Sequence, residues 1–247
     1  MRLALISDLH GNLTALEAAL ADIARRSVDR IVCLGDVASD GPQPRQVLER
    51  LRGLGCPVIM GNADAQLVGL DPIDFPPEMQ VFADSARWAA SELTAQDRAF
   101  IQGFAPRLSL TLGRFPALLF HGSPADFNAE LKPATPDEVF REAFAAHEAA
   151  VYAGGHTHLQ MFRRIDAAVF VNPGSVGMAY DRVPGAPGEV RFAAWAEYAI
   201  LAGSDDGLSF ELFRVPYDPG QVLDAIAASG LPNRDWWTQA WTAAARL

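Results

Sequence analysis

Short apolar runs punctuate the first third of the chain, and stretches with helical spacing lie between them. Residues 3–6, 31–34 and 58–60 are continuous apolar runs of strand length, as expected of strands covered on both faces. Leu13, Leu16, Leu20 and Ile23 recur near a 3.6-residue period behind Asn12, a residue suited to start a helix. Val47, Leu48, Leu51 and Leu54 repeat that spacing ahead of the third run. Strand, helix, strand, helix, strand is the βαβαβ order of a parallel sheet.

From residue 63 to about 106 the pattern changes. Asp71-Pro72 and Pro76-Pro77 break the chain, residues 81–93 are helical in spacing, and Thr94 with Asp97 makes a capping box for a further helix. The segment reads as an insertion or lid, or equally as a helical layer packed on the sheet. Runs at 108–112 and 115–120 flank Gly113-Arg114, a hairpin signal. Thr135-Pro136-Asp137-Glu138 predicts a helix start, with Thr135 as the cap and proline in first position. Residues 150–153 and 169–171 are further strands, and 192–201 with 208–215 form an antiparallel pair across Asp205-Asp206-Gly207. A helical tail from about 218 ends in Trp236, Trp237 and Trp241, which suit a core or a contact between copies of the chain. With no repeat, low-complexity tract or linker, the expectation is a single domain over 1–247.

A chain of 247 residues can bury about three-quarters of its unfolded surface and needs no disulfide to hold it. Cys33 and Cys56 form no C-x-x-C motif and read as buried thiols in a reducing compartment. The formal net charge of −10 argues against a nonspecific nucleic-acid coat. It leaves a small phosphorylated substrate open, because bound dications reverse the field locally. The chain opens directly into Arg2-Leu3-Ala4-Leu5-Ile6 with no leader, and no apolar run approaches the roughly 20 residues of a membrane span. The expectation is a soluble, cytoplasmic protein.

The chemistry sits where the apolar runs stop. Four of the five histidines fall in three short blocks: Asp8-Leu9-His10, His121-Gly122-Ser123 and Gly155-His156-Thr157-His158. Gly35-Asp36 and Gly61-Asn62 add a carboxylate and an amide. Seven oxygen and nitrogen donors result, about the number that two divalent cations need when they lie roughly 3.5–4 Å apart as a hydrolytic pair. Each block alone has an ordinary reading as a turn, but all five in order on successive strands do not. A mixed set without thiolate points to Mn²⁺ first, with Fe, Zn²⁺, Co²⁺ or Ni²⁺ as alternatives. Asp36 is the natural bridge, one oxygen to each ion, and a water shared by the ions becomes the nucleophile on phosphorus. Gly61, Gly154 and Gly155 would let the backbone approach the ions. His147 lines up with Phe140 and Phe144 on a helical face, as packing.

With these blocks in place the chain resembles the calcineurin-like metallophosphoesterase superfamily. The series Asp8-x-His10, Gly35-Asp36, Gly61-Asn62-Ala63-Asp64, His121 and Gly155-His156-Thr157-His158 matches its motifs, and Asn172-Pro173-Gly174-Ser175 is similar to its compact bacterial and archaeal phosphodiesterase branch. The resemblance implies an α/β fold, a four-layer α-β-β-α sandwich of two mixed sheets flanked by helices. It implies one ion on Asp8, His10, Asp36 and His158 and a second on Asp36, Asn62, His121 and His156. Asp36, Asn62 and His121 would act in catalysis, through a metal-bridging hydroxide. The family's histidine after Gly-Asn is Ala63 here, and Ser39-Asp40 replace the Asp-Arg pair of the protein-phosphatase branch. Both departures turn the reading away from a Ser/Thr protein phosphatase and toward a phosphodiesterase acting on a small phosphoester. A broad phosphomonoesterase or nucleotide phosphatase is the alternative, and a non-catalytic scaffold of the same fold is another. Asn172-Pro173-Gly174-Ser175 is expected to brace the His156–His158 loop without binding metal.

Overall fold

The computed structural model describes residues 1–180, 190–242 and 244. The first two apolar runs become β1 (Arg2–Ile6) and β2 (Arg30–Cys33), each followed by its helix, α1 (Leu13–Ile23) and α2 (Pro44–Leu54). Asn12 starts α1 by accepting a hydrogen bond from the Ala15 amide at 3.0 Å, and Pro44 opens α2. The third run differs from expectation. Residues 58–60 make single bridges, Val58 to Cys33 and Ile59 to Ala105, because α3 (Asn62–Leu67) begins two residues later and leaves no length for a ladder. Then come α4 (Gln80–Glu92) and α5 (Ala95–Gln102), the latter closed by the expected box, with Asp97 N donating to Thr94 Oγ1 at 3.2 Å and Thr94 N to Asp97 Oδ2 at 3.1 Å.

The second half supplies β3 (Leu108–Leu112), β4 (Phe115–Leu119), α6 (Asp137–Phe144), β5 (Val151–Ala153), β6 (Met161–Ile165), β7 (Ala168–Asn172), β8 (Trp195–Gly203), β9 (Leu208–Pro216), α7 (Pro219–Ala228) and α8 (Arg234–Thr242). Three boundaries depart from the sequence reading. Pro136 rather than Thr135 stands at the start of α6, since Thr135 Oγ1 accepts from the Lys132 amide to close the preceding turn. His147 lies beyond the end of α6, half-buried, with its carbonyl accepting the Tyr152 hydroxyl at 2.6 Å. Strand β8 begins at Trp195, and Phe192 makes only an isolated bridge to Tyr180. Strand β6 escaped the pattern altogether. Arg163 and Arg164 break its apolar run, and a sheet edge tolerates such charges.

Two mixed sheets face each other. One has the order β2-β1-β8-β9, with β1 and β2 parallel; the other has the order β3-β4-β5-β7-β6, with β4, β5 and β7 parallel. Strand alternation sorts the cores. Leu3 and Leu5 point between the sheets to meet Leu119, Ala153 and Val171, while Ala4 and Ile6 point outward under Leu16 and Leu48 of the helices. On the second sheet Leu118, Phe120 and Tyr152 face Phe140 and Phe144 of α6. Helix, sheet, sheet, helix gives the four layers. Leu67, Ala89, Ile101 and Phe104 join the α1–α2 core, so the segment after residue 62 packs as part of the outer helical layer. Helices α7 and α8 close a separate cluster in which Trp237 and Trp241 are fully buried against Phe192, leaving Trp236 partly exposed. Among the described residues no helix is long and apolar enough to cross a membrane.

Candidate metal centre

The five parallel strands end at one edge of the sandwich, and their loops converge there as ligand-binding loops do in α/β sheets. Strand β1 delivers Asp8 and His10, β2 delivers Asp36, β4 delivers His121, and β5 delivers His156 and His158. Asn62 comes from the first turn of α3. All seven residues expected from the sequence meet: six fall into two groups of three, and the Asn62 amide lies beside the second, 3.1 Å from His121 Nε2. Ligand atoms of Asp8, His10 and His158 lie within 4.8 Å of one another, and so do those of Asp36, His121 and His156.

The backbone at this edge is strained. Nine described non-glycine residues have positive φ, and six of them are here: Asp8 (55°), His10 (42°), Asp36 (54°), Asp40 (67°), His156 (67°) and His158 (56°). Such conformations cost on the order of 1 kcal/mol or more each and persist only where the surroundings fix them. Here backbone hydrogen bonds between loops do so, with Asp8 N donating to Gly35 O at 2.9 Å, His10 N to Asp36 O at 3.0 Å and Gly177 N to Asp8 O at 2.9 Å. Two glycines are required by close approach. A Cβ at Gly61 would sit 2.1 Å from Asp36 Oδ1, and one at Gly155 would sit 2.0 Å from Ser7 Oγ. Gly154, expected to do the same, instead packs against the Phe120 ring.

The imidazoles are aimed by their outer nitrogens. His121 Nδ1 lies 2.8 Å from Leu34 O and His158 Nδ1 2.9 Å from Met178 O, so each donates outward and presents a bare Nε2 inward. His10 Nε2 and His158 Nε2 are 3.0 Å apart. His121 Nε2 stands 3.2 Å from Asp36 Oδ2 and 3.1 Å from the Asn62 amide oxygen. That amide position is also 2.9 Å from His156 Nδ1 and 3.3 Å from Asp36 Oδ2. Lone pairs facing lone pairs is the arrangement that cations relieve, and the set of four imidazoles, two carboxylates and an amide fits two borderline dications. Without them the Asn62 amide is better satisfied rotated, donating into the same space.

Asp36 departs from the expected bridge of one oxygen per ion. Its Oδ1 accepts from the Ala63 amide at 2.9 Å, and Oδ2 alone faces both groups, 3.2 Å from His121 Nε2 and 3.8 Å from His10 Nε2. Asp64 fixes this loop, its carboxylate accepting from the amides of Asp36 (2.8 Å), Val37 (2.9 Å) and Gly61 (3.1 Å). Burial first and the Asp36 charge second push its carboxyl up to about 7.

In the absence of cations, protons on His10 and His121 would take their place. Burial disfavours charge on His10, but Asp40 and Asp36 outweigh it and raise its pKa to about 9. His121 also reaches about 9 despite its burial, chiefly through Asp36. Burial works against the Asp8 and Asp36 carboxylates too, yet His158 beside Asp8 and His121 beside Asp36 hold both below the usual range. His156 falls to about 4, through burial and then repulsion by His121.

The sequence missed three residues that brace the site. Asp64, Asp40 and Ser85 form no ligand spacing; Asp64 alone carried a local signal, standing three residues after Gly61 where a first-turn acid caps a helix. Ser175 belongs to the motif expected to brace the histidine loop, and it reaches the Asp8 loop instead. Ser175 Oγ donates to Asp8 O at 2.7 Å. Asn172 has the position expected of it, its amide donating to Gly155 O at 2.7 Å and Thr157 Oγ1 at 3.1 Å across the histidine loop. A groove of about 780 Å³ lined by Arg45, Arg52, Trp88 and Asp97 contains none of the seven residues.

A model of the calcineurin-like phosphoesterase superfamily domain matches residues 1–202. The chain is 29% identical over 188 residues to the phosphodiesterase YfcE of Escherichia coli, covering 72% of this chain and 80% of that one. It is 26% identical over 238 residues, 94% of each chain, to the uncharacterized protein MJ0912 of Methanocaldococcus jannaschii. A crystal structure of a metallophosphoesterase from Sphaerobacter thermophilus superposes with a TM-score of 0.73 at 26% identity, covering 98% of this chain and 99% of that one.

Proposed function

Because this chain belongs to the calcineurin-like phosphoesterase superfamily, we propose that it hydrolyses small phosphoesters, phosphodiesters by preference, through two divalent ions held by Asp8, His10, Asp36, Asn62, His121, His156 and His158. The observation that carries this reading is the convergence of inward-facing imidazole nitrogens on Asp36 Oδ2. Asp8, His10 and His158 would hold one ion and Asn62, His121 and His156 the other, with Asp36 between them. When bound, such ions supply Lewis-acid charge at phosphoryl oxygens and make a shared water acidic near neutral pH. Mn²⁺ is our first choice by donor type, with Fe, Zn²⁺, Co²⁺ and Ni²⁺ sharing the preference.

The chain's own residues set the geometry. The Ala63 amide and His121 fix Asp36 from two sides, and Leu34 O fixes the His121 ring. Ala63 brings no proton donor to the leaving group, which supports substrates whose leaving group departs easily. The 29% identity to a protein named as a phosphodiesterase points the same way.

Metal analysis combined with hydrolysis of an aryl phosphodiester tests the reading. Two ions per chain and turnover that chelation removes are expected, and Asp36→Asn should lower both metal content and turnover to background. Full-rate hydrolysis by metal-free protein in chelator would overturn it. Two bound ions with no turnover on any diester or monoester would instead mark the fold as a scaffold.

A further inference from the structure

Three of the four inward-facing histidines reach the centre through Nε2, and each needs something to hold Nδ1. Backbone carbonyls do this for His121 and His158. His10 Nδ1 is buried and makes no hydrogen bond; the group facing it is a side-chain carboxylate at ion-pair distance. Asp40 Oδ2 lies 3.4 Å from His10 Nδ1, both groups being buried. The other oxygen, Oδ1, accepts the Ser85 hydroxyl at 2.6 Å. Ser85 is fully buried on the inner face of α4, and its Oγ also lies 2.9 Å from Phe82 O. It has one proton to give, and the carboxylate is the stronger acceptor.

The backbone holds Asp40 in place at some cost. Its φ is 67°, and the next residue, Gly41, lies so close to His10 that a Cβ there would be 1.8 Å from the His10 carbonyl oxygen. The loop is pressed onto the very residue its carboxylate addresses. A chain of contacts therefore runs from α4, in a segment that contributes no ligand after Asn62, through Ser85 and Asp40 to His10.

We propose that Asp40, braced by Ser85, is a positioning residue that holds the His10 ring with Nδ1–H outward and its Nε2 lone pair on the metal side, toward His158 Nε2 and Asp36 Oδ2. The inference rests on the metal-centre reading above. A carboxylate behind a histidine fixes both tautomer and ring rotation and makes the imidazole a better donor. Asp40 touches neither substrate nor ion in this arrangement; it acts through His10.

Full-length wild type, Asp40→Ala, Asp40→Asn and Ser85→Ala are titrated with Zn²⁺ alone against a chelating indicator, and folding is followed by circular dichroism. For one of the two ions, Asp40→Ala should weaken binding by about 10–100-fold, the usual effect of removing such a partner. Asp40→Asn, which keeps an acceptor but no charge, should fall between it and wild type, and so should Ser85→Ala. The other ion should be held nearly as in wild type. In the Zn²⁺-loaded protein the His10 Nδ1–H proton should resonate far downfield and move upfield in each variant, a change that mere loosening of the fold does not produce. Folded variants that bind both ions within threefold of wild type, with that resonance unmoved, overturn the proposal. Should Asp40→Ala fail to fold, Ser85→Ala decides by the same two readouts, because it removes one oxygen from a packed helix face. A wild type that takes up no Zn²⁺ overturns the metal reading itself, which separates the two failures.

Discussion

At residue 63 a methyl group stands where the family's motif carries an imidazole. A positioned general acid contributes about 10²–10⁴-fold when the leaving group is poor. The expected result is a kcat/KM far higher for an aryl diester than for an alkyl monoester such as phosphoserine, and a preference for the alkyl monoester would reject the diester reading. The structure changes what Ala63→His can do. Ala63 is 4% exposed, so no open space surrounds its methyl and a histidine must displace its neighbours, at about 1–3 kcal/mol of stability. Ala63→His should narrow the gap between the two substrates only partly, with a lower melting temperature. Asn172 offers a second residue-scale test. Its fully buried amide holds Gly155 O and Thr157 Oγ1, and its Oδ1 accepts from Gly174 N at 2.8 Å. Asn172→Ala leaves these groups unpaired and should cost about 1–3 kcal/mol while weakening metal binding through His156 and His158. Unchanged metal affinity in Asn172→Ala would assign the loop a purely structural role.

Among the elements, α1 is docked to β8 by a buried polar contact. Asp22, on α1, accepts from the Tyr198 hydroxyl and is paired with Arg25 and Arg26, each at 2.7 Å. Burial opposes ionisation of Asp22, but Arg26 and then Tyr198 outweigh it and lower its pKa to about 2. A depressed carboxylate stabilises above its unfolded value of 3.8, and that contribution fades only as pH falls through about 2. Tyr198→Phe should therefore cost about 1 kcal/mol at neutral pH and lose its effect in strong acid, which denaturant titrations at pH 7 and pH 2 would compare. Helix α8 is fixed by Trp237 and Trp241 packing around Phe192. Trp237→Ala should destabilise by about 3–5 kcal/mol. A variant that kept its stability and changed only its oligomeric state in sedimentation would return this helix to a contact between copies.

Across the whole molecule, the metal-free centre should leave its mark on stability against pH. His10 and His121 have folded pKa values of about 9 against 6.5 unfolded, so their contribution is complete below 6.5 and is lost as pH rises through about 9. Asp8 and Asp36 are shifted down, so theirs is present above 3.8 and is lost on acidification. In chelator the melting temperature should peak between these limits and fall from pH 6.5 to pH 9. Mn²⁺ should remove that alkaline fall, because the ions bind the deprotonated imidazoles. A flat profile in chelator over that range would contradict the charge balance drawn for the site.

The sequence by itself determined which residues meet at the candidate site and the order of their delivery, because strand-length apolar runs ending in Asp, Asn or His leave a local trace at each one. The continuous apolar run Leu3-Ala4-Leu5-Ile6 also told of a strand covered on both faces, but which residue enters which core was settled only by the fold. Local pattern could not report what depended on partners far along the chain. Ser85 meets Asp40 across 45 residues, and the His121 ring is turned by the carbonyl of Leu34, 87 residues away. Strand β6 was hidden because its arginines satisfy themselves at a sheet edge, and the third run stopped short of a strand because α3 begins at once. Which oxygen of Asp36 faces both groups was likewise decided only by the fold, once the Ala63 amide had claimed the other. Burial is written residue by residue in a sequence. The direction in which a buried polar group points is set by the hydrogen bonds that distant segments bring to it.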